Sequence, residues 1–356
     1  MKNNENKPAN IKNQTVQVPA LFADIRRMIE EARAAVATTV NAGLTMLYWR
    51  IGKRLTQEIL EGKRADYGKR ILATLSQQLS REYGEGFSYT ALTRMIKFIE
   101  CFPDSEIVAT LSLQLSWSHF RELLPLDKPL QRDFYAEMCR VEHWSVRTLR
   151  KKIASMLYER TALSKKPEAL ARMKIDRLRD DDRMTPDLVF RDPYLLDFLG
   201  LKGAFQEKDL EAAILRELEA FIMELGSGFT FVARQKRIRV GQDDFYLDLL
   251  FYHRDLRRLL VVELKLDKFR PEHKGQMELY LRWLDKYERK PNEDAPLGII
   301  LCAGKDMEQI ELLELGASGI HVAEYLTVLP PKETLRQKLH AAIELSRKRL
   351  EDREAE

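Results

Sequence analysis

Hydrophobic positions follow two different periods along the chain. From about Pro19 to about Tyr158 they recur every three or four residues, the spacing of amphipathic helices. From about Asp209 onward, short apolar runs bounded by glycine, proline and charged residues alternate with helical stretches. Asp209 to Leu225 keeps a helical spacing through Ile214, Leu215, Leu218, Phe221, Ile222 and Leu225, and Gly226-Ser227-Gly228 ends it. Phe229 to Val240 is rich in strand formers, and Gly241-Gln242-Asp243-Asp244 supplies turn chemistry. The runs Phe245 to Tyr252 and Leu259 to Lys265, joined by the polar loop His253 to Arg258, are expected to pair antiparallel. Pro271 opens a further helix, with Gln276 and Tyr280 one turn apart, and Leu297 to Cys302 is another apolar strand. The predicted order is helix, three strands, helix, strand.

Charge breaks this pattern at two places. Asp248 interrupts the first buried run, and Glu263-Leu264-Lys265 ends the second. Side chains alternate along a strand, so Glu263 and Lys265 share a face. Two carboxylates and a lysine inside a sheet need compensation from each other, a metal or a substrate phosphate. A hard divalent cation, Mg2+ or Mn2+, suits oxygen donors and keeps several waters. Asp248, Glu263 and the Leu264 carbonyl are its expected ligands. Lys265 would orient an acidified water towards a phosphodiester phosphorus and neutralise charge there. The bland alternative is a buried Glu–Lys pair with Asp248 in a turn, because this spacing also arises by chance.

The helical half offers a second chemistry. Ala20 to Asn41 and Leu44 to Glu61 read as two long amphipathic helices, with Tyr48 and Trp49 in the core. Ile71 to Tyr83 is a helix, Gly84 to Phe87 a turn, and Ser88 an N-cap for Tyr89 to Phe102. That succession is helix-turn-helix-like. It would present Tyr89, Thr90 and Thr93 to a DNA groove, with Arg94 and Lys97 near phosphates. An ordinary helical hairpin is the competing reading. Ser116 caps a helix start at Leu115 to Phe120, and Trp144 to Lys152 is a basic helix start carrying Arg147, Arg150 and Lys151. These are a candidate phosphate-contacting surface or a solvated face.

Composition narrows the class. The 356 residues suit two domains, and 45% hydrophobic with 32% charged residues marks a globular protein. No apolar stretch approaches a membrane span, and the polar start Met1 to Lys7 lacks a signal-peptide core. Cys101, Cys139 and Cys302 are widely spaced, which points to a reducing cytoplasm without disulfides or a zinc site. A net charge of +4 permits nucleic-acid binding without demanding it. His119 and His143 read as packed or capping histidines, and His253 as a turn hydrogen-bonding group.

The segments Phe245 to His253, Glu263-Leu264-Lys265, Lys268 to Glu272, Gly275-Gln276-Met277 and Gly298 to Cys302 together resemble the C-terminal domain of the YhcG-type PD-(D/E)xK nucleases. Asn41, Tyr48 to Gly52, Leu75-Ser76, Gly86 to Ser88, Ser116 to His119 and His143 to Ser145 resemble the helical N-terminal domain of the same family. The resemblance implies a restriction-endonuclease-like α/β domain with a mixed sheet, preceded by an all-α, helix-turn-helix-like domain. It implies Asp248, Glu263 and Lys265 as the catalytic core, with Gln276 beside them. Leu247 stands where the superfamily name has proline, which supplies no ligand. A glutamate from the first helix often joins such sites; Glu211, Glu217 and Glu224 compete, and Glu211 is favoured as a further metal ligand. The literal Pro186-Asp187 pair is taken as chance, being far from Glu263 in a linker-like stretch.

The expected organisation is a disordered tail at 1–17, a helical domain at 18–168 expected to contact DNA, and a connection at 169–206. A nuclease domain at 207–330 and a C-terminal helix at 331–356 complete it. The expected activity is metal-dependent endonucleolytic hydrolysis of nucleic acid, DNA above all, in the cytoplasm and away from membranes. Two other readings stay open: a nucleic-acid-binding protein with a nuclease fold and little catalysis, and an assembly protein that forms homo-oligomers.

Overall fold

In the computed structural model, residues 18–61, 65–201 and 205–355 are described; the expected tail at 1–17 lies outside them. Two compact units divide between Leu124 and Pro125.

The first unit is helical. Helix α1 (Val18–Glu61) is one continuous helix where the periodicity suggested two; nothing between Asn41 and Leu44 breaks the backbone, and a glycine alone costs only about 1 kcal/mol. Helix α2 (Ala65–Tyr83) is followed by a single 3-10 turn, Glu85–Phe87, and by α3 (Tyr89–Cys101). The helix, glycine turn and helix therefore form as expected, although the Ser88 side chain makes no cap bond. Leu55, Leu72, Leu92 and Met95 form the core between these helices. A Cβ on Gly52 would lie 2.0 Å from the Met95 carbonyl oxygen, so α1 and α3 meet at a point only glycine permits. Trp49 is buried, and its Nε1 donates to the Phe102 carbonyl at 2.8 Å. Asp104 caps α4 (Ser105–Ser112), and Ser116 with His119 forms a capping box on α5 (Trp117–Leu123).

The second unit begins with helices α6 (Pro129–Val141), α7 (Val146–Ala154), α8 (Leu157–Arg160), α9 (Glu168–Asp181) and α10 (Pro186–Val189). Strand β1 (Tyr194–Leu195) leads to α11 (Glu207–Arg216) and α12 (Leu218–Leu225). These last two were expected as one helix. The backbone breaks at Glu217, whose φ of −105° and ψ of 35° leave the helical region. Strands β2 (Phe229–Val240), β3 (Asp243–His253) and β4 (Arg258–Leu264) then form an antiparallel meander. Helix α13 (Pro271–Tyr287), β5 (Leu297–Cys302), α14 (Met307–Leu312), β6 (Ile320–Leu326) and α15 (Lys332–Ala355) complete the unit.

The six strands form one mixed sheet in the order β1-β6-β5-β4-β3-β2, antiparallel from β2 to β4 and parallel from β4 to β1. Strand β5 is buried along its whole length, as expected for a strand covered on both faces. Gly298 makes room for α13: a Cβ there would fall 2.5 Å from Met277 Sδ. The core between α13 and the sheet holds Leu247, Val261, Phe269, Met277, Tyr280 and Leu284. Strands β1 and β6 are not among the expected strands, although Tyr194 to Leu201 is apolar enough to dock on a domain.

Helix α8, Lys165 and the segment around Asp192 are tied to α12 and the sheet by buried charge. Arg160, 1% exposed, and Arg191 both bond Glu224 of α12. Asp192 accepts from Lys165, Lys305 and the Glu324 amide. Burial alone would raise the Asp192 carboxyl, but Lys305 and Lys165 hold it well below the usual carboxylate range.

Candidate active site

The meander sets up the site by register. The pairs Arg234↔Leu249 and Lys236↔Leu247 place Gln235 opposite Asp248, and Leu249↔Val262 places Glu263 opposite Asp248 on the other side. Directly opposite residues of antiparallel strands project to the same face. Gln235, Asp248 and Glu263 therefore form a cross-strand row over β2, β3 and β4. Between β3 and β4 the ladder is replaced at this point by a side chain, as Asp248 Oδ2 accepts the Leu264 amide N–H at 2.9 Å. On its far side β4 stays attached to β5, with the Lys265 amide donating to the Leu301 carbonyl at 2.8 Å.

Each carboxylate has a distinct set of partners. Glu263 Oε1 accepts from Lys265 Nζ at 3.2 Å and from Gln276 Nε2 at 3.3 Å. Gln276 is in turn held by Tyr280 of the next helical turn at 2.7 Å, and Tyr280 donates to the Tyr246 carbonyl. Glu263 Oε2 is buried and makes no hydrogen bond. Asp248 Oδ1 accepts from Gln235 Nε2 at 3.0 Å, and the same nitrogen donates to Glu211 Oε2 at 3.0 Å. Gln235 does this from a left-handed backbone, φ 41°, which a residue with a Cβ adopts at some cost.

The electrostatics follow from this crowding. Burial and then the charge of Asp248 push the Glu263 carboxyl up to about 8, against the pull of Lys265. Burial raises Asp248 as well, opposed by the Leu264 amide, Lys265 and Gln235. Burial and the Asp248 charge raise Glu211. Three carboxyl groups are thus held short of easy ionisation in the absence of a neutralising cation.

The donor set fits a hard divalent ion. Among the described residues no three His, Cys, Asp or Glu side chains converge as a ready-made cage. What the site offers is a partnerless buried oxygen of Glu263, the neighbouring carboxylate of Asp248 and oxygen donors throughout. That suits a cation that keeps several waters more than one needing a closed protein shell.

The other singled-out residues lie elsewhere. Glu224 is committed to Arg160 and Arg191, and Glu217 is exposed at the helix break, so Glu211 is the glutamate brought to the row. Asp187 pairs with Lys174 and Lys166 and has no part in the row. Tyr89, Thr90, Arg94 and Lys97 are exposed on α3 of the first unit, while Leu92, Met95 and Phe98 are buried. Arg147, Arg150 and Lys151 are exposed on α7 of the second unit. His253 Nδ1 accepts the Leu256 amide within its turn, as expected.

The sequence reading missed Gln235 and Glu207, whose Oε1 accepts the Leu266 amide at 3.4 Å. A signal for Gln235 existed. Counting equal steps back from the two-residue turn Gly241-Gln242 pairs it with Asp248.

Comparison with known proteins agrees with this architecture. Residues 187–340 match the family described as the YhcG PDDEXK nuclease domain, and residues 24–160 match the DUF1016 N-terminal domain. A relative from Escherichia coli (strain K12), "Putative nuclease YhcG", is 33% identical over 346 residues, covering 88% of this chain and 92% of the relative. Among solved structures, a repair endonuclease from Pyrococcus abyssi matches 36% of this chain and 50% of its own, at 25% identity and a TM-score of 0.25. The EndoMS-dsDNA2 complex matches 37% of this chain and 48% of its own, at 21% identity and a TM-score of 0.26. The chain thus spans about half the length of these solved structures. It covers nearly all of its bacterial relative, and on that match it belongs to the YhcG family of PD-(D/E)xK-type nucleases.

Proposed function

We propose that the chain is a divalent-metal-dependent endonuclease that hydrolyses phosphodiester bonds in DNA. The observation that carries this reading is the buried Glu263 oxygen without a partner, beside Asp248 and within reach of Lys265. Asp248, Glu263 and the Leu264 carbonyl would hold Mg2+ or Mn2+, with Glu211 as a further ligand. Bound there, the cation supplies Lewis acidity and neutralises charge on the scissile phosphate.

The side chains do the rest. Lys265 sits where its ammonium can turn from Glu263 to a non-bridging phosphate oxygen and to an attacking water. Gln276, fixed by Tyr280, keeps Glu263 Oε1 occupied and leaves Oε2 as the oxygen open to a cation. Arg94 and Lys97 on α3 of the first unit would contact DNA phosphates, and so, separately, would Arg147, Arg150 and Lys151 on α7 of the second.

A cleavage panel tests the reading. Single-stranded, duplex and branched DNA, with RNA as a comparison, are incubated with Mg2+, Mn2+ or EDTA. Scission that needs the metal and is lost in Asp248→Ala and Lys265→Ala is the expected result. Scission by these variants at the wild-type rate, or no scission of any substrate, would overturn it.

A further inference from the structure

The cross-strand row continues past the carboxylates along the β2–β3 hairpin. Two residues beyond Gln235–Asp248 lies the pair Arg237↔Tyr246, and two further the pair Arg239↔Asp244. All four side chains are on the row's face by alternation, at intervals of about 6.8 Å. Arg237 and Tyr246 are 59% and 49% exposed, and Arg239 is exposed as well. The opposite face is anchored: Ile238 and Leu247 are buried against α13, Lys236 pairs with Glu288, and Trp283 Nε1 donates to the Arg239 carbonyl. The hairpin is thus a stiff arm with one face free and leading straight into the site.

We propose that this face is the track for a single-stranded segment of DNA, with phosphates on Arg239 and Arg237 and a base on the Tyr246 ring. The inference rests on the nuclease reading of the carboxylate row and names the surface that feeds it. Charge complementarity and continuity with the row argue for a nucleic-acid strand as the occupant. Arg237 is oriented by Asp244 at 2.6 Å and keeps further N–H groups of its fork available. The spacing of successive side chains on one strand face is close to that of successive phosphates on an extended strand, and the exposed ring of Tyr246, directly across from Arg237, is a stacking platform tolerant of any base. Because the ring needs an unpaired base, single-stranded or branched DNA is favoured over uninterrupted duplex.

The test is fluorescence anisotropy of labelled single-stranded and duplex oligonucleotides in EDTA, titrated with salt, for wild type, Arg239→Ala, Tyr246→Ala and Arg254→Ala. Arg254 is an exposed residue in the β3–β4 loop, away from the hairpin tip, and serves as the control. Thermal unfolding confirms that each variant is folded. Arg239→Ala should lower the magnitude of the logarithmic salt slope by about 0.7, one phosphate contact on a single strand. Tyr246→Ala should weaken single-strand binding roughly tenfold and duplex binding less. Wild-type affinity and slope in both variants, equal losses in Arg254→Ala, or no binding by wild type would overturn the proposal. Failure of the nuclease reading appears separately, as wild-type binding without scission when Mg2+ is added.

Discussion

Asp248 accepts the backbone N–H of Leu264 across the β3–β4 boundary, at 2.9 Å, where the strands' own ladder has stopped. A carboxylate that would otherwise only burden the sheet therefore also closes it. The two roles separate on substitution. Asp248→Asn keeps an acceptor for Leu264 and removes the repulsion with Glu263, whereas Asp248→Ala removes both. Metal-free Asp248→Asn should unfold at a higher temperature than wild type, and Asp248→Ala about 1 kcal/mol below Asp248→Asn. Both should lack cleavage. Thermal unfolding in EDTA with a cleavage assay checks this, and equal stability of the two variants would remove the closing role.

Glu263 predicts a pH dependence. Its carboxyl ionises near 4.5 when unfolded and near 8 in the fold. Between those values the folded state holds a proton that the unfolded state has lost, so stability falls as pH rises through the window. Metal-free wild type should lose stability from pH 5 to pH 8, and Glu263→Gln should show a flatter profile. Mn2+ should raise the unfolding temperature more at pH 8 than at pH 6, since it needs the ionised form. A wild-type profile as flat as that of Glu263→Gln would refute the assignment.

Asp192 gives a stability prediction far from the row. Asp192→Ala leaves Lys165 and Lys305 without their shared carboxylate in a buried place. Loss of one partner from a buried pair costs about 3–5 kcal/mol. Urea unfolding of the variant should show a loss of that order. A change below about 1 kcal/mol would mean that water replaces the carboxylate there.

The same contacts set where the chain can be cut. A fragment of residues 125–356 should fold cooperatively, and one of 207–356 should not, because it lacks Arg160, Arg191, Asp192 and strand β1. Circular dichroism of the two fragments through a thermal ramp decides the matter. Cooperative unfolding of the shorter one would place the boundary at the 169–206 connection instead.

For the helical half, Arg94→Ala and Lys97→Ala should each weaken DNA binding and reduce the salt slope by about one phosphate contact. Neither should unfold the first unit, since both side chains are exposed while Leu92, Met95 and Phe98 hold α3 to its core. Unchanged affinity in the double variant across a salt titration would leave α3 as part of an ordinary helical hairpin.

The catalytic candidates were legible because charge inside an apolar strand is expensive, and Asp248, Glu263 and Lys265 each break such a run. Glu211 was one of three glutamates on a helical stretch, and only the tertiary placement of Gln235 separates it from Glu217 and Glu224. Gln235 itself was hidden because β2 is an exposed edge strand, where a polar residue is ordinary. The ties of Arg160 and Asp192 were hidden as well, because paired buried charge looks like surface in sequence.

Gln235 also limits what selection can do at its position. Its left-handed backbone favours glycine, asparagine or aspartate, while the two carboxylates on either side call for a donor that carries no negative charge. Glycine relaxes the chain and drops both bonds, and aspartate adds a third negative charge. Asparagine satisfies backbone and chemistry but is one methylene short of spanning Glu211 and Asp248. A saturation library there should collapse to very few functional members, with glutamine kept despite its strain.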